Sequence, residues 1–161
     1  MRKCQIWVDN DACPRRIRDI VINAAIKRQV ILELVANSYM SVLRSPFIKF
    51  SCVSGAFDAA DDYIVNHVIA GDLVITADLP LADRVVAKNI CAINPRGQLY
   101  TAETIKDRLA TRNLSAELRS EYSSGGGAQT FNTQDVQRFA NAFDKQLAIL
   151  CKLNSELLST V

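Results

Sequence analysis

The chain has 161 residues and a formal net charge of +2, with 49% hydrophobic and 22% charged residues. These values predict one globular domain with a sizeable core, and a charge so close to neutral neither requires nor excludes a nucleic-acid partner. No apolar run is long enough to span a bilayer, and the N-terminus is typical of a first strand rather than a signal peptide, so we expect a cytoplasmic protein with no membrane partner.

Apolar segments alternate with amphipathic ones through the first hundred residues. This alternation predicts right-handed βαβ units, and so an α/β fold: a three-layer α/β/α sandwich around a mostly parallel five-stranded sheet. In chain order the predicted elements are a strand at Gln5–Val8, a helix from Pro14 to Arg28, a strand at Val30–Ala36, a loop at Asn37–Pro46, a strand at Ile48–Val53, a helix from about Asp58 to Val68, a strand at Leu73–Thr76, a helix opened by Pro80, and a strand at Ile90–Ile93.

The last third of the chain has a different pattern. Thr101–Arg119 is predicted to be helical, Ser123–Ala128 to be a flexible loop, and Thr133 to cap a final helix with apolar residues at helical spacing. That apolar face is expected to pack on its own domain, with a homodimer as the alternative. We expect residues 1–150 to form the domain and 151–161 to form a tail.

Cysteine and histidine usage argues against two common kinds of site. The five cysteines are scattered and include no Cys-x-x-Cys pair, which disfavours both a disulfide framework and a structural zinc site. His67 is the only histidine, and it lies on a predicted helix among apolar residues. No Ser–His or Cys–His catalytic pair is therefore expected.

Acidic residues follow three of the hydrophobic segments. The carboxyl ends of parallel strands meet at one edge of a sheet, where open α/β folds bind their ligands, so these carboxylates are expected to gather there. Such a cluster repels itself unless a hard cation is bound, and Mg²⁺ or Mn²⁺ accepts oxygen ligands of this kind. The acids are Asp9 and Asp11, then Asp58, Asp61 and Asp62, then Asp78.

Each acidic motif also has a structural interpretation. Asp11 or Asn10 could cap the following helix, which is as plausible for Asp11 as a role in binding metal or positioning water. For Asp9 we favour a functional role, because burying a carboxylate at the end of a strand costs free energy unless it has a partner. Asp78 could be a helix cap as well.

The three acids around the start of the second predicted helix are harder to explain by structure alone. Acids in a first turn favour the helix dipole, which accounts for one or two of them. Asp58, Asp61 and Asp62 share a helical face at spacings i, i+3 and i+4, where like charges repel one another.

Two further residues are candidates for substrate binding at the same edge. Asn37 begins the loop after the second strand, and Arg96 lies in the turn after the fifth strand, where it could bind phosphate bidentately or simply stabilise the turn. Trp7, the only tryptophan, alternates onto the same face as Asp9 and is expected near the acids.

Several long motifs resemble one family of bacterial proteins. They are IWVDNDACP, GAFDAADDYIV, GDLVITADLPLA, INPRGQLYT and a late GG…F…FANAFD segment, and they extend to about Leu150. The chain is similar in these motifs to the YaiI/YqxD family, also called the DUF188 or UPF0178 family. That family is grouped with PIN-like domains, α/β/α sandwiches that include metal-dependent ribonucleases.

The resemblance implies a set of acidic site residues. By position they are Asp9, one of the acids at 58, 61 and 62, and Asp78, with Asp83 as a further acid. Fold and function separate readily, so the resemblance implies nuclease chemistry without establishing it.

The residues and the resemblance together favour a Mg²⁺- or Mn²⁺-dependent phosphodiesterase that acts on RNA or a nucleotide-containing substrate. One alternative is an aspartate-based phosphatase with Asp9 as nucleophile, and another is a non-catalytic module that binds RNA or nucleotide. In the favoured hypothesis the catalytic residues are Asp9, Asp11, Asp61 and Asp78, and the metal ligands are Asp9, Asp58, Asp62 and Asp78.

Overall fold

The computed structural model describes residues 2–55, 58–121 and 131–159, and shows one five-stranded sheet between two layers of helices. All of its strand pairings are parallel. The predicted three-layer α/β/α class is confirmed. The strands are β1 (Ile6–Asp9), β2 (Leu32–Ala36), β3 (Ile48–Cys52), β4 (Leu73–Ile75) and β5 (Cys91–Ile93).

The part of the chain that the structure describes contains five α-helices beside the sheet, and a short 3₁₀ turn at Asn10–Ala12 joins β1 to the first of them. Before the final helix, the ends of strands and helices differ from the predicted ones by at most two residues, which is within the usual uncertainty of helix and strand ends. None of the described helices combines the length and the apolar character needed to cross a membrane. The helices are α1 (Arg15–Arg28), α2 (Ala59–His67), α3 (Leu79–Ala87), α4 (Ala102–Glu121) and α5 (Thr133–Ser159).

Strand alternation sorts the core into two apolar clusters. On β1, Ile6 and Val8 face α1 and α5, whereas Trp7 faces α2 and α3. Asp9 follows Trp7 by two positions, so it lies on the α2 and α3 face. Because both faces of the sheet are covered, the end of β1 lies in a region that contains little water.

The strand order is β3-β2-β1-β4-β5. The chain first builds outward from β1 to β3 and then crosses back to place β4 on the other side of β1. The order therefore reverses between β1 and β4. Such a switch point opens a crevice at the carboxyl ends of the two strands, and open α/β sheets bind their ligands in it.

The final helix packs on its own sheet through Phe139, Phe143 and other apolar residues of the inward face. Asn132, rather than Thr133, caps it: the Asn132 side chain accepts a hydrogen bond from the Asp135 N–H at 2.8 Å, and the Asp135 carboxylate accepts one from the Asn132 N–H at 3.1 Å. The prediction for Thr133 is wrong because this reciprocal capping box begins one residue earlier. The predicted loop at Ser123–Ala128 lies outside the described residues.

Helix α5 continues beyond Leu150 to Ser159. In this last part the Asn154 amide donates to the Cys4 carbonyl at 3.1 Å, and its side-chain oxygen accepts from the Cys4 N–H at 2.7 Å. The end of the helix is thereby bound to the residues that precede β1.

Asp72 joins β1 and β4 at the amino edge of the sheet. Its carboxylate is 1% exposed as a residue and forms an ion pair with Arg2 at 2.6 Å. It also accepts hydrogen bonds from the Gln5 N–H at 2.9 Å, the Trp7 indole N–H at 3.0 Å and the Ile69 N–H at 2.9 Å. A buried charge is tolerated here because a cation and three N–H groups surround it.

We expect Asp72→Asn to lower the free energy of unfolding by about 3 kcal/mol, because it removes one partner of a buried ion pair and sets an amide NH₂ among N–H donors. Urea unfolding monitored by circular dichroism measures the change. Asp144→Asn, on the exposed face of α5, is the matched control. Equal stability of the two variants would contradict the role assigned to Asp72.

Candidate metal centre

Three carboxylates meet at the switch point between β1 and β4. Asp9 ends β1, Asp61 lies in the first turn of α2, and Asp78 directly precedes α3. One oxygen from each lies within 4.8 Å of the others. Asp9 is only 5% exposed, and the other two are half-buried. The expectation that acids from separate segments gather at this edge is confirmed for these three residues.

Thr76 positions the cluster. It follows β4, and its hydroxyl donates to the Asp9 carboxylate at 2.9 Å. The same hydroxyl oxygen accepts the Asp78 N–H at 3.0 Å, and the Thr76 carbonyl accepts the Tyr100 hydroxyl at 3.0 Å. Thr76 thus fixes the carboxylate of one strand end relative to the backbone of the next.

Sequence reasoning missed Thr76, although a signal was available. It is a polar residue at the end of a buried apolar strand, which is the criterion that singled out Asp9. Its hydroxyl was overlooked because threonine is common in strands.

Asp78 is a helix cap and also a member of the acidic cluster. Its Oδ1 accepts the Leu81 N–H at 3.3 Å and so caps α3. The carboxylate also belongs to the group of three. The cap restricts the side chain and directs it towards the crevice.

The three acids of the cluster form no ion pair with the basic residues that the structure describes. Burial raises the pKa of Asp9 to about 6, the Thr76 hydrogen bond opposes that shift, and the charges of Asp78 and Asp11 add to it. The ionised form of Asp9 is therefore disfavoured in the absence of a cation.

The pKa of Asp61 is also raised to about 6. Burial is the main cause, followed by the charges of Asp78, Asp9 and Asp58, while Arg84 acts in the opposite direction. Burial is therefore the main cause of the raised pKa of both Asp9 and Asp61, and the neighbouring acids add to it.

The other predicted acids lie outside the group of three. Asp62 forms an exposed ion pair with Arg84 of α3 at 2.8 Å. Asp58 is exposed just before α2 and acts on Asp61 through its charge. The three acids on one predicted helical face are therefore divided, and Asp61 alone joins Asp9 and Asp78.

Asp11 lies at the rim and accepts the Asn37 N–H at 2.8 Å. The structural alternative for this motif, that Asp11 or Asn10 caps α1, is wrong, because no side chain caps that helix. Asn10 instead accepts a hydrogen bond from Arg18 at 3.2 Å. Asp11 thus links the turn after β1 to the end of β2.

The remaining predicted residues are placed as follows. Asn37 is exposed beside Asp11, with its backbone N–H engaged. Arg96 pairs with Asp135 of α5 at 3.3 Å, in the turn after β5. Trp7 shares the face of Asp9, but its indole N–H donates to Asp72 at the opposite edge of the sheet, so the expectation that it lies beside the acids is wrong.

The pH dependence of stability tests this electrostatic description. A carboxyl pKa of about 6 in the folded chain, against about 3.9 in an unfolded one, means that folding binds protons. The stabilisation is complete below about pH 4 and is lost as the pH rises through about 6. Without metal, the free energy of unfolding should therefore fall over this range.

We expect Asp9→Asn to raise the metal-free free energy of unfolding at pH 7.5 by about 1 to 3 kcal/mol, since a shift of one pKa unit is worth about 1.4 kcal/mol. The gain should be smaller at pH 5, and the Asn side chain can still accept the Thr76 hydrogen bond. Urea unfolding in EDTA measures both values, with exposed Asp83→Asn on α3 as the control. A loss of stability at pH 7.5 would contradict the description.

Comparison with known proteins places the chain in a family. The sequence profile described as "Uncharacterized BCR, YaiI/YqxD family" matches residues 7–149. A UPF0178 protein of Maridesulfovibrio salexigens is 51% identical over 143 residues, which is 89% of this chain and 95% of that protein. One of Shewanella amazonensis is 50% identical over 92% of this chain and 99% of its own length, and one of Legionella pneumophila is 48% identical over 89% and 97%. No solved structure matches significantly. The chain belongs to the YaiI/YqxD family.

Proposed function

We propose that the chain is a Mg²⁺- or Mn²⁺-dependent phosphodiesterase that hydrolyses RNA or a nucleotide-containing substrate at the acidic cluster. The observation that supports this most directly is the meeting of three carboxylates within 4.8 Å at the switch point, one of them buried. The same arrangement is what a resemblance to PIN-like ribonucleases implies, with an acid after the first strand, one on a helix and one after the fourth strand.

The cluster fits a hard divalent cation. Its donors are all carboxylate oxygens, the ligand type that Mg²⁺ and Mn²⁺ prefer. The contrast with Asp72 supports the fit, because there the fold supplies Arg2 to a buried carboxylate, whereas the described residues supply no cation to Asp9. Asp9, Asp61 and Asp78 would hold the ion, with Asp58 as a candidate to act through water, whereas Asp62 is paired with Arg84.

A bound metal would supply an activated water and stabilise the leaving oxygen of the phosphodiester. The chain itself supplies orientation and proton transfer. Thr76 holds the Asp9 carboxylate through its hydroxyl, and the α3 N-terminus holds that of Asp78. Asp61 would hold the ion through one carboxylate oxygen and accept the proton of the water through the other. Asp11 at the rim is a candidate to position that water.

Neighbouring acids on α2 allow a matched test of metal binding. We expect Asp9→Asn, Asp61→Asn and Asp78→Asn to weaken Mn²⁺ binding by at least about tenfold, since even outer-shell changes cost that much at metal sites. Asp62→Asn should leave the affinity within a few-fold, because that side chain pairs with Arg84. Isothermal titration calorimetry at pH 7.5 measures each affinity. Equal losses for Asp61→Asn and Asp62→Asn would contradict the assignment of Asp61.

Hydrolysis requires its own assay. Single-stranded RNA incubated with the wild type should be cut in Mn²⁺ or Mg²⁺ and remain intact in EDTA, and the Asp9→Asn variant should be inactive. The alternatives give different results. A phosphorylated Asp9 trapped with a phosphate ester would favour the aspartate-based phosphatase. RNA binding that survives Asp9→Asn, together with no hydrolysis by the wild type in Mn²⁺ or Mg²⁺, would favour the binding module.

A further inference from the structure

A cavity of about 590 Å³ opens on the β5 side of the acidic cluster. We call it the β5 cavity, and the residues of its wall that matter here are Ala77, Leu79, Arg96, Tyr100, Arg108 and Phe131. Ala77 and Leu79 flank Asp78 in the sequence, so the cavity borders the cluster. Its size is ordinary for a site that holds one small ligand.

Two arginines from different elements line the cavity. Arg96 comes from the turn after β5, and its guanidinium is held 3.3 Å from the buried carboxylate of Asp135 on α5. Arg108 comes from α4 and lies over the Tyr100 ring at 5.6 Å. No ion pair of Arg108 is found among the described residues. The cavity therefore places positive charge next to the negative charge of the cluster.

The turn that carries Arg96 is rigid. Gly97 adopts a φ of 85°, and a Cβ at this position would lie 2.5 Å from the Arg138 carbonyl oxygen of α5. Asn94 also accepts the N–H groups of Arg96 and Gln98 at 2.9 Å each. The backbone of Arg96 is thus set before any ligand arrives.

Aromatic groups accompany the arginines. Phe131 is half-buried in the cavity wall, with its ring 5.8 Å from the Arg96 guanidinium. Tyr100 connects the cavity to the cluster, because its hydroxyl donates to the Thr76 carbonyl. Burial raises the pKa of Tyr100 to about 12, while the charge of Arg108 acts to lower it and that of Asp78 to raise it, so both charges act on this hydroxyl.

We infer that the β5 cavity binds one nucleotide of a single-stranded nucleic acid, with Arg96 and Arg108 on a phosphate and Phe131 against the base. A guanidinium matches phosphate geometry, and an aromatic ring stacks on any base. A free phosphate would leave most of the cavity empty. The placement of the next phosphate at Asp9 and Asp78 rests on the proposed function, whereas binding in the cavity does not.

Fluorescence anisotropy with labelled short oligonucleotides of one sequence, as RNA and as DNA, tests the inference in EDTA. We expect Arg108→Ala to weaken binding by at least about tenfold, as for a lost hydrogen bond between charged groups. The slope of log affinity against log salt should fall by about 0.7, the value for one phosphate contact on a single strand. Lys106→Ala removes the same charge from an exposed position of α4 and is the control.

Arg108→Lys separates recognition from folding. It should keep the salt slope and lose part of the affinity, because lysine preserves the charge but not the paired hydrogen bonds. If circular dichroism shows that Arg108→Ala unfolds, Arg108→Lys and Phe131→Leu carry the test. A loss of affinity in both of these would support the inference, and wild-type affinity in both would overturn it.

Other outcomes are equally decisive. Absence of oligonucleotide binding, or equal losses for Arg108→Ala and Lys106→Ala, would overturn the inference. If AMP competes as strongly as an unlabelled oligonucleotide, the ligand of the β5 cavity is a mononucleotide rather than a strand, and the inference is overturned. Binding that depends on Arg108, without any metal-dependent hydrolysis, would contradict the proposed function but support the cavity as a nucleic-acid-binding site.

Discussion

A buried carboxylate lies at each end of the central strand β1, Asp72 at the amino end and Asp9 at the carboxyl end. The structure around each end follows from how that negative charge is compensated. At the amino end, Asp72 is paired with Arg2 and surrounded by N–H donors. At the carboxyl end, Asp9 receives one hydroxyl hydrogen bond and faces two more acids. Removing a carboxylate from water costs several kcal/mol. The charge of Asp72 is compensated within the fold, whereas in the function that we propose the charge of Asp9 is compensated by a bound cation.

The strand order explains why the acidic cluster lies at the carboxyl end of β1. Because β1 lies between β2 and β4, its final residue borders the crevice where the strand order reverses. The connection after β4 brings Thr76 and Asp78 to Asp9, and α2 brings Asp61. On the β5 side the same edge continues into a cavity with positive charge. A phosphate chain would thus meet basic groups beside the acidic ones, an order suited to holding a strand while one of its bonds is hydrolysed.

The sheet and the edge that carries the acids followed from the sequence, because apolar segments and acidic strand ends are local patterns. The choice between Asp61 and Asp62 did not, since both lie at helical spacing from Asp58 and only the orientation of α2 leaves Asp61 half-buried and Asp62 exposed beside Arg84. Strand alternation placed Trp7 on the correct face but could not tell towards which edge its indole leans. Thr76 acts through a single hydroxyl hydrogen bond between two strand ends, and such a contact exists only once the strands are neighbours.

The pair of hydrogen bonds between the Asn154 side chain and the Cys4 backbone has a consequence for folding during synthesis. Residues 150 positions apart close the region in front of β1, and α5 supplies Phe139, Phe143 and Leu147 to the core beneath that strand. A ribosome releases the chain from its N-terminus, so β1 and α1 emerge first, and the face of β1 that packs against α1 and α5 is fully covered only when the last helix arrives. During that interval the nascent chain exposes an apolar sheet surface, and chaperones would find it there.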